Sequence, residues 1–194
     1  ADGNRIDLTL YPVAGLPEMP RDSQSVLLLD KDCIVEPFPP PSGRDYLPKA
    51  PSAKAFADCC NEFWWLCPYV SKGLWRREIV YAKAMMDGYL RGELMKMLAW
   101  FAGEEYGYSR GIGKCGKRLE GLLEKELWDG LLATYSDADY DGNWKALFAA
   151  VDLFRKASRR VAEASGFEYP RGEDEKVSAY LARLRSLPGA ARDM

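Results

Sequence analysis

Residues 56–78 read F-A-D-C-C-N-E-F-W-W-L-C-P-Y-V-S-K-G-L-W-R-R-E. Wound at 3.6 residues per turn, the stretch separates into two stripes. Phe56, Cys60, Phe63, Cys67, Val70 and Leu74 fall within roughly 40° of one line, an apolar face that requires burial. Asp58, Glu62, Trp65, Tyr69, Lys72 and Arg76 share a line on the opposite side. A merely solvated face would carry Lys, Glu and Gln, with no Trp and Tyr between its acids and its bases. Carboxylates, then aromatics, then cations along one line suit the wall of a site for a ligand of both charge types. A core helix with an amphipathic rim fits the same pattern.

Ser52 is placed to cap this helix. Pro68 removes a backbone donor and Gly73 adds freedom, so a bend or break is expected between Leu66 and Gly73. Downstream the pattern stays helical: Leu74 to Met86, about Arg91 to Glu105, about Lys114 to Leu123, Lys125 to Tyr135, Asn143 to Ala164 and Glu173 to Leu187. On the long 143–164 segment Trp144, Leu147, Val151, Phe154 and Val161 form the side to be buried.

Upstream the period changes. In N-R-I-D-L-T-L-Y-P (4–12) Ile6, Leu8 and Leu10 alternate with Asp7 and Thr9, the mark of a half-buried strand ended by Pro12. Residues 25–35 read as a second strand interrupted at Asp30-Lys31-Asp32, where a turn is favoured over a metal-binding D-x-D pair. One strand cannot stand alone, so these are expected to be remnants of a sheet. Pro37, Pro39, Pro40, Pro41, Pro48 and Pro51 then forbid regular structure and mark a domain boundary, dividing the chain into residues 1–50 and 51–194. The expected fold class is α+β, mainly α: remnant strands followed by a helical bundle.

Composition narrows the chemistry. The 194 residues carry 27 basic and 29 acidic side chains and a net charge of −2, without the basic field of a nucleic-acid binder. No apolar run approaches the roughly 18 residues that a bilayer span needs. No signal peptide opens the sequence, so the expected compartment is the cytoplasm, with no membrane partner. Cys33, Cys59, Cys60, Cys67 and Cys115 lack zinc-site spacing and read as reduced thiols. Histidine is absent altogether, which removes Ser-His-Asp and Cys-His chemistry and the common zinc sites of hydrolases. Acid–base work would fall to Asp, Glu, Lys or Tyr, beside a hard cation such as Mg²⁺. Gly111-Ile112-Gly113-Lys114 at an expected helix start offers amides and an ammonium to a phosphate, although the spacing is not that of a Walker A loop, and a solvated loop fits too. Asp7, the helix carboxylates, Lys96 and Lys114 together would allow metal-assisted phosphoryl or nucleotidyl transfer.

Seven blocks carry a more specific signal: D-G-N-R-I-D-L-T-L (2–10), L-L-D-K-D (28–32), K-A-P-S-A (49–53), D-C-C-N-E-F-W-W (58–65), Y-V-x-K-G-L-x-R-R-E-I (69–79), M-L-A-W (97–100) and N-W-K-A-L-F (143–148). In this order they resemble the aminoglycoside 6-adenylyltransferases, the streptomycin-resistance nucleotidyltransferases. The resemblance implies transfer of AMP from ATP to a hydroxyl of streptomycin. It also implies Mg²⁺ held by carboxylates of a small α/β nucleotidyltransferase domain, of which residues 1–50 would be the C-terminal part. Residues 51–194 would be the helical substrate- and nucleotide-binding domain. Asp7 matches a family active-site carboxylate, acting as base or metal ligand, with Glu62 as its catalytic companion. Asp58, Trp65 and Tyr69 would receive the guanidinium and amine groups of the antibiotic. Lys72, Lys96, Lys114 and Tyr135 would serve the nucleotide. The family's Gly-Ser and D-x-D motifs do not occur here, so the resemblance implies the C-terminal two-thirds of such an enzyme, inactive alone and partnered by the missing N-terminal half. A helical module that binds a polycation without modifying it is the alternative.

Overall fold

The computed structural model describes residues 3–188, which divide between Tyr46 and Leu47 into two compact units. In the second unit the 56–78 stretch lies within one helix, α1 (Ala53–Trp75), started by Ser52, whose hydroxyl accepts the Ala55 N–H at 3.1 Å. The expected break at Leu66–Gly73 does not occur, and α1 runs on through Pro68. Proline costs one backbone hydrogen bond, but Leu66, Cys67, Val70 and Ser71 around it are all buried, and packing holds the turn. All six residues of the apolar stripe are buried, joined by Cys59, Trp64, Leu66, Ser71 and Gly73. The buried surface is therefore wider than one stripe, and α1 has neighbours on several sides.

The chain continues with α2 (Ile79–Lys83), a π-helical turn (Ala84–Leu90), α3 (Arg91–Glu105), α4 (Lys125–Leu132), which packs on α5 (Tyr140–Ser165), and α6 (Arg171–Ser186). Phe63 of α1 stacks on Phe154 of α5 with centroids 3.7 Å apart, and Trp64 meets both rings edge-on. The expected buried face of α5 is present in full, from Trp144 to Val161. Asp139 caps α5 by accepting the Gly142 N–H, and Gly166, left-handed at φ 70°, closes its end. α6 is fixed to α5 by Asp174, which is 2% exposed. It accepts two hydrogen bonds from Arg155, at 2.7 and 2.6 Å, and others from Tyr169 and Ser178. Burial works against the Asp174 carboxylate, yet these donors outweigh it and hold its pKa below the ordinary 3.8. On the other flank Arg91 donates to the Thr134 hydroxyl and carbonyl, and Lys83 to the Ser136 carbonyl, so two cations satisfy the chain leaving α4.

Two expectations are overturned. The fold class is not α+β: the described residues contain no strand and no sheet. Residues 4–12 take no regular secondary structure: a strand requires a ladder partner, and none is present among the described residues. Ile6, Leu8 and Leu10 are accordingly 90%, 85% and 88% exposed rather than half-buried. Residues 25–35 form no strand either; the Asp30 carboxylate accepts the Val35 N–H at 2.8 Å and closes a loop on itself. The first unit is instead tied by Ser23, which exchanges hydrogen bonds with Asp45 at 2.7 and 3.0 Å. Second, no α-helix starts at Lys114. Short 3-10 turns at Lys114–Gly116 and Leu119–Gly121 replace it, because Gly113, Cys115 and Gly116 all adopt positive φ. Gly116, at φ 77°, lies against Met95 of α3, and its left-handed backbone would strain any side chain placed there.

Asp174→Asn should cost about 3–5 kcal/mol, the scale for breaking a buried pair from one side. The sign of its pH dependence follows from the lowered pKa. The stabilisation is complete above the ordinary 3.8 and fades as pH falls through the folded-state value. Urea melts at pH 7 and pH 3 should show the variant's deficit shrinking in acid; an equal deficit at both would remove Asp174 as the cause. Phe154→Ala should cost about 3–5 kcal/mol by the same melts, from lost burial and the cavity beside Phe63.

Candidate functional site on the polar face of helix α1

The burial that fixes α1 leaves one line of it facing solvent: Asp58, Glu62, Trp65 and Arg76 are exposed, and Tyr69 and Lys72 half-buried. An indole left 61% exposed on a helix whose Phe56, Phe63 and Trp64 are buried is the least expected feature of this unit. Trp65 and Tyr69 lie one turn apart with ring centroids 6.1 Å apart, and the Lys72 ammonium sits 4.8 Å over the Tyr69 ring. At the other end Asp58 is engaged by Lys54, one turn back, at 2.5 Å. From Glu62 to Lys72 the face spans roughly 15 Å at 1.5 Å per residue.

Helix α3 brings a second set of charges to the acid end. Lys96 donates to both carboxylate oxygens of Glu93, at 2.8 and 2.7 Å. Burial alone would lower the Lys96 pKa, but the hydrogen bonds and charge of Glu93, with smaller contributions that include Glu62, raise it. Lys96 is held by Glu93 on its own helix, and the Glu62 charge acts on it only weakly. The Cys59 thiol donates to the Glu93 carbonyl at 3.5 Å, and burial pushes its pKa far up. Burial likewise raises Cys60, to about 12, so these are inert core thiols. Glu93 is a residue that the sequence reading missed. Its signal was the Glu93–Lys96 spacing of three on a helix, the separation at which side chains meet.

The other expected site residues stand elsewhere. Lys114 is exposed on the glycine loop, away from any helix start. Tyr135 carries the Arg91 guanidinium on its face at 3.9 Å, a packing contact at the end of α4. Asp7 belongs to the first unit, where Arg5 bonds its carboxylate at 2.9 Å and both side chains are exposed. Among the described residues no three His, Cys, Asp or Glu side chains are grouped to hold a metal ion. One carboxylate already paired with an arginine does not fit Mg²⁺, which takes about six oxygen ligands.

Comparison with known proteins gives this face its context. A family model described as streptomycin adenylyltransferase matches residues 1–184. The chain belongs to that family. It is 39% identical over 181 residues to an aminoglycoside 6-adenylyltransferase of Bacillus subtilis (strain 168), covering 92% of this chain and 63% of the relative. It is 37% identical over 193 residues to the Campylobacter jejuni protein of the same name, covering 99% and 67%. The crystal structure of an aminoglycoside 6-adenyltransferase from Bacillus subtilis superposes with a TM-score of 0.66 at 37% identity, covering 81% of this chain and 59% of that one. The streptomycin adenylyltransferase family thus accounts for nearly the whole chain, while the chain spans a little under two thirds of the Bacillus subtilis relative. No helix among the described residues is long and apolar enough to cross a membrane.

If the aromatic pair is left bare for a ligand rather than for folding, truncating it should cost little stability. Trp65→Ala is expected to change the unfolding free energy by under about 0.5 kcal/mol, as at other surface positions. A thermal-melt loss of several degrees would show that Trp65 serves the core.

Proposed function

We propose that this chain is part of an aminoglycoside adenylyltransferase that transfers AMP from ATP to a hydroxyl of streptomycin, and that the polar face of α1 is where the antibiotic lies. The observation that carries this reading is the exposed Trp65–Tyr69 pair between carboxylates and a cation, on a chain of this family. Streptomycin carries guanidinium and amine groups. Asp58 and Glu62 offer charge-assisted hydrogen bonds to them, and the two rings offer π faces. Glu62 is also the proposed base for the acceptor hydroxyl.

For the nucleotide, Lys72 at the cation end has the best placement. Lys96, Lys114 and Tyr135 are retained as weaker assignments, since Lys96 is held by Glu93 and Tyr135 by Arg91. Asp7 is proposed as a catalytic carboxylate that contributes to Mg²⁺ binding in the complete enzyme. No step is drawn through that ion, because the residues described do not assemble its site. Five free cysteines accord with a reducing, cytoplasmic setting. The missing cation site also favours a second reading for the chain by itself, capture of the polycation without chemistry.

Calorimetry of the 194-residue chain with streptomycin should show binding that weakens as salt rises. Glu62→Gln should weaken it about tenfold, the loss of one charge-assisted contact. Wild-type affinity in that variant would take Glu62 out of the site. Transfer of labelled AMP from ATP to streptomycin should be absent with this chain alone, and measurable turnover would overturn the assignment of an incomplete active site.

A further inference from the structure

Where the polar line of α1 ends, the chain turns a corner that forms an open cleft of about 750 Å³, lined by Arg76, Arg77, Glu78, Tyr81 and Tyr140 among others. That volume is within the range of small-molecule sites, roughly 300–1,000 Å³. Its walls are built by backbone and ring contacts. Arg77, a non-glycine residue at φ 60°, turns the chain between α1 and α2. The Tyr140 hydroxyl donates to the Arg77 carbonyl at 2.6 Å, and the Arg77 guanidinium lies 4.4 Å over the Tyr140 ring. Tyr81 packs on Gly73, where an added Cβ would stand 2.9 Å from the ring. Arg76, exposed at the end of α1, takes no carboxylate partner among the described residues. Val80, 83% exposed, lines the cleft on its apolar side.

We propose that this cleft binds a nucleoside phosphate. The Arg76 guanidinium suits a phosphate, which it grips through paired N–H donors. Two tyrosine rings suit a stacked base, and the Glu78 carboxylate can accept from ribose hydroxyls. Lys72, one turn before Arg76, extends the cationic track toward Tyr69 and the face assigned to the antibiotic. The inference rests on the ATP-dependent reading above and names where the nucleotide sits in this unit. An open cleft binds weakly, and an affinity on the order of 1 mM, about 4 kcal/mol, is expected for AMP.

The test is an amide chemical-shift titration of the 194-residue chain with AMP, and separately with adenosine and inorganic phosphate. AMP should shift the amides of residues 76–84 and 140, with smaller shifts from either half alone. Arg76→Glu and Val80→Trp, both at exposed positions, should keep the wild-type melting temperature and weaken AMP binding about tenfold. AMP shifts confined to residues 110–118, wild-type affinity in both variants, or no shifts at 20-fold the expected Kd would each overturn the cleft. These outcomes leave the adenylyl-transfer reading standing. That reading is tested apart, by AMP transfer to streptomycin in a family member of full length.

Discussion

Helix α1 must bury most of its circumference, and that requirement organises the second unit. Phe63 and Trp64 are consecutive, so no single interface can cover both; they point about 100° apart. The Phe154 ring resolves this by stacking on Phe63 and meeting Trp64 edge-on, which makes α5 the aromatic support of α1. α6 and the π-helical turn pack on α1 as well, and nearly every apolar position is consumed. The line from Asp58 to Arg76 is what remains. The site is therefore a consequence of packing: the same contacts that bury eleven residues of α1 also hold the exposed residues in a rigid row.

The charged groups fall into two physical kinds. Asp174 with Arg155, and Arg91 with Thr134, are largely withdrawn from water and satisfied by several donors or acceptors each. They are worth most as constraints on helix position, since removing one partner strands the other. Lys54–Asp58 and Lys125–Asp129 are exposed pairs on single helices and contribute little to stability. The Glu62–Lys96–Glu93 group lies between these kinds. Glu93 is mostly covered, Lys96 half so, and Glu62 open to solvent. A ligand cation can reach Glu62 without disturbing the Lys96–Glu93 bond, which is how a binding surface keeps its geometry while exchanging partners.

Much of this unit was legible in the sequence because its signals are local. Ser52 capped the helix it was expected to cap, and the apolar residues of the 56–78 and 143–164 stretches lie where a 3.6-residue period puts them. The misreadings share one cause: a local cue was overruled by a distant neighbour, or had none to meet. Pro68 marks a break only where nothing outside the helix holds the turn. Lys114 to Leu123 had helical composition, but Gly113, Cys115 and Gly116 adopt positive φ, with Gly116 against Met95, more than 20 positions earlier. Ile6, Leu8 and Leu10 had the alternation of a strand without a partner to pair with. Arg76 was read as the end of a stripe. Its cleft needed Tyr140, 63 residues beyond Arg77, to close its wall.

The order of charges along α1 is by itself a poor guide to function. Lys72 lies in the last turn, where the carbonyl end of the helix dipole favours a cation with no ligand present. Asp58 has its own partner in Lys54. Charges so arranged would stand in any well-behaved helix. Trp65 has no such account. Covering an aromatic side chain is worth about 2 kcal/mol or more, and adjacent Trp64 and Leu66 are both buried. The fold forgoes that stabilisation at one position between a carboxylate and a tyrosine. A flat π face held in water beside charges is what a guanidinium ligand can use and what the core does not, so the proposed antibiotic site rests on Trp65 more than on the acids around it.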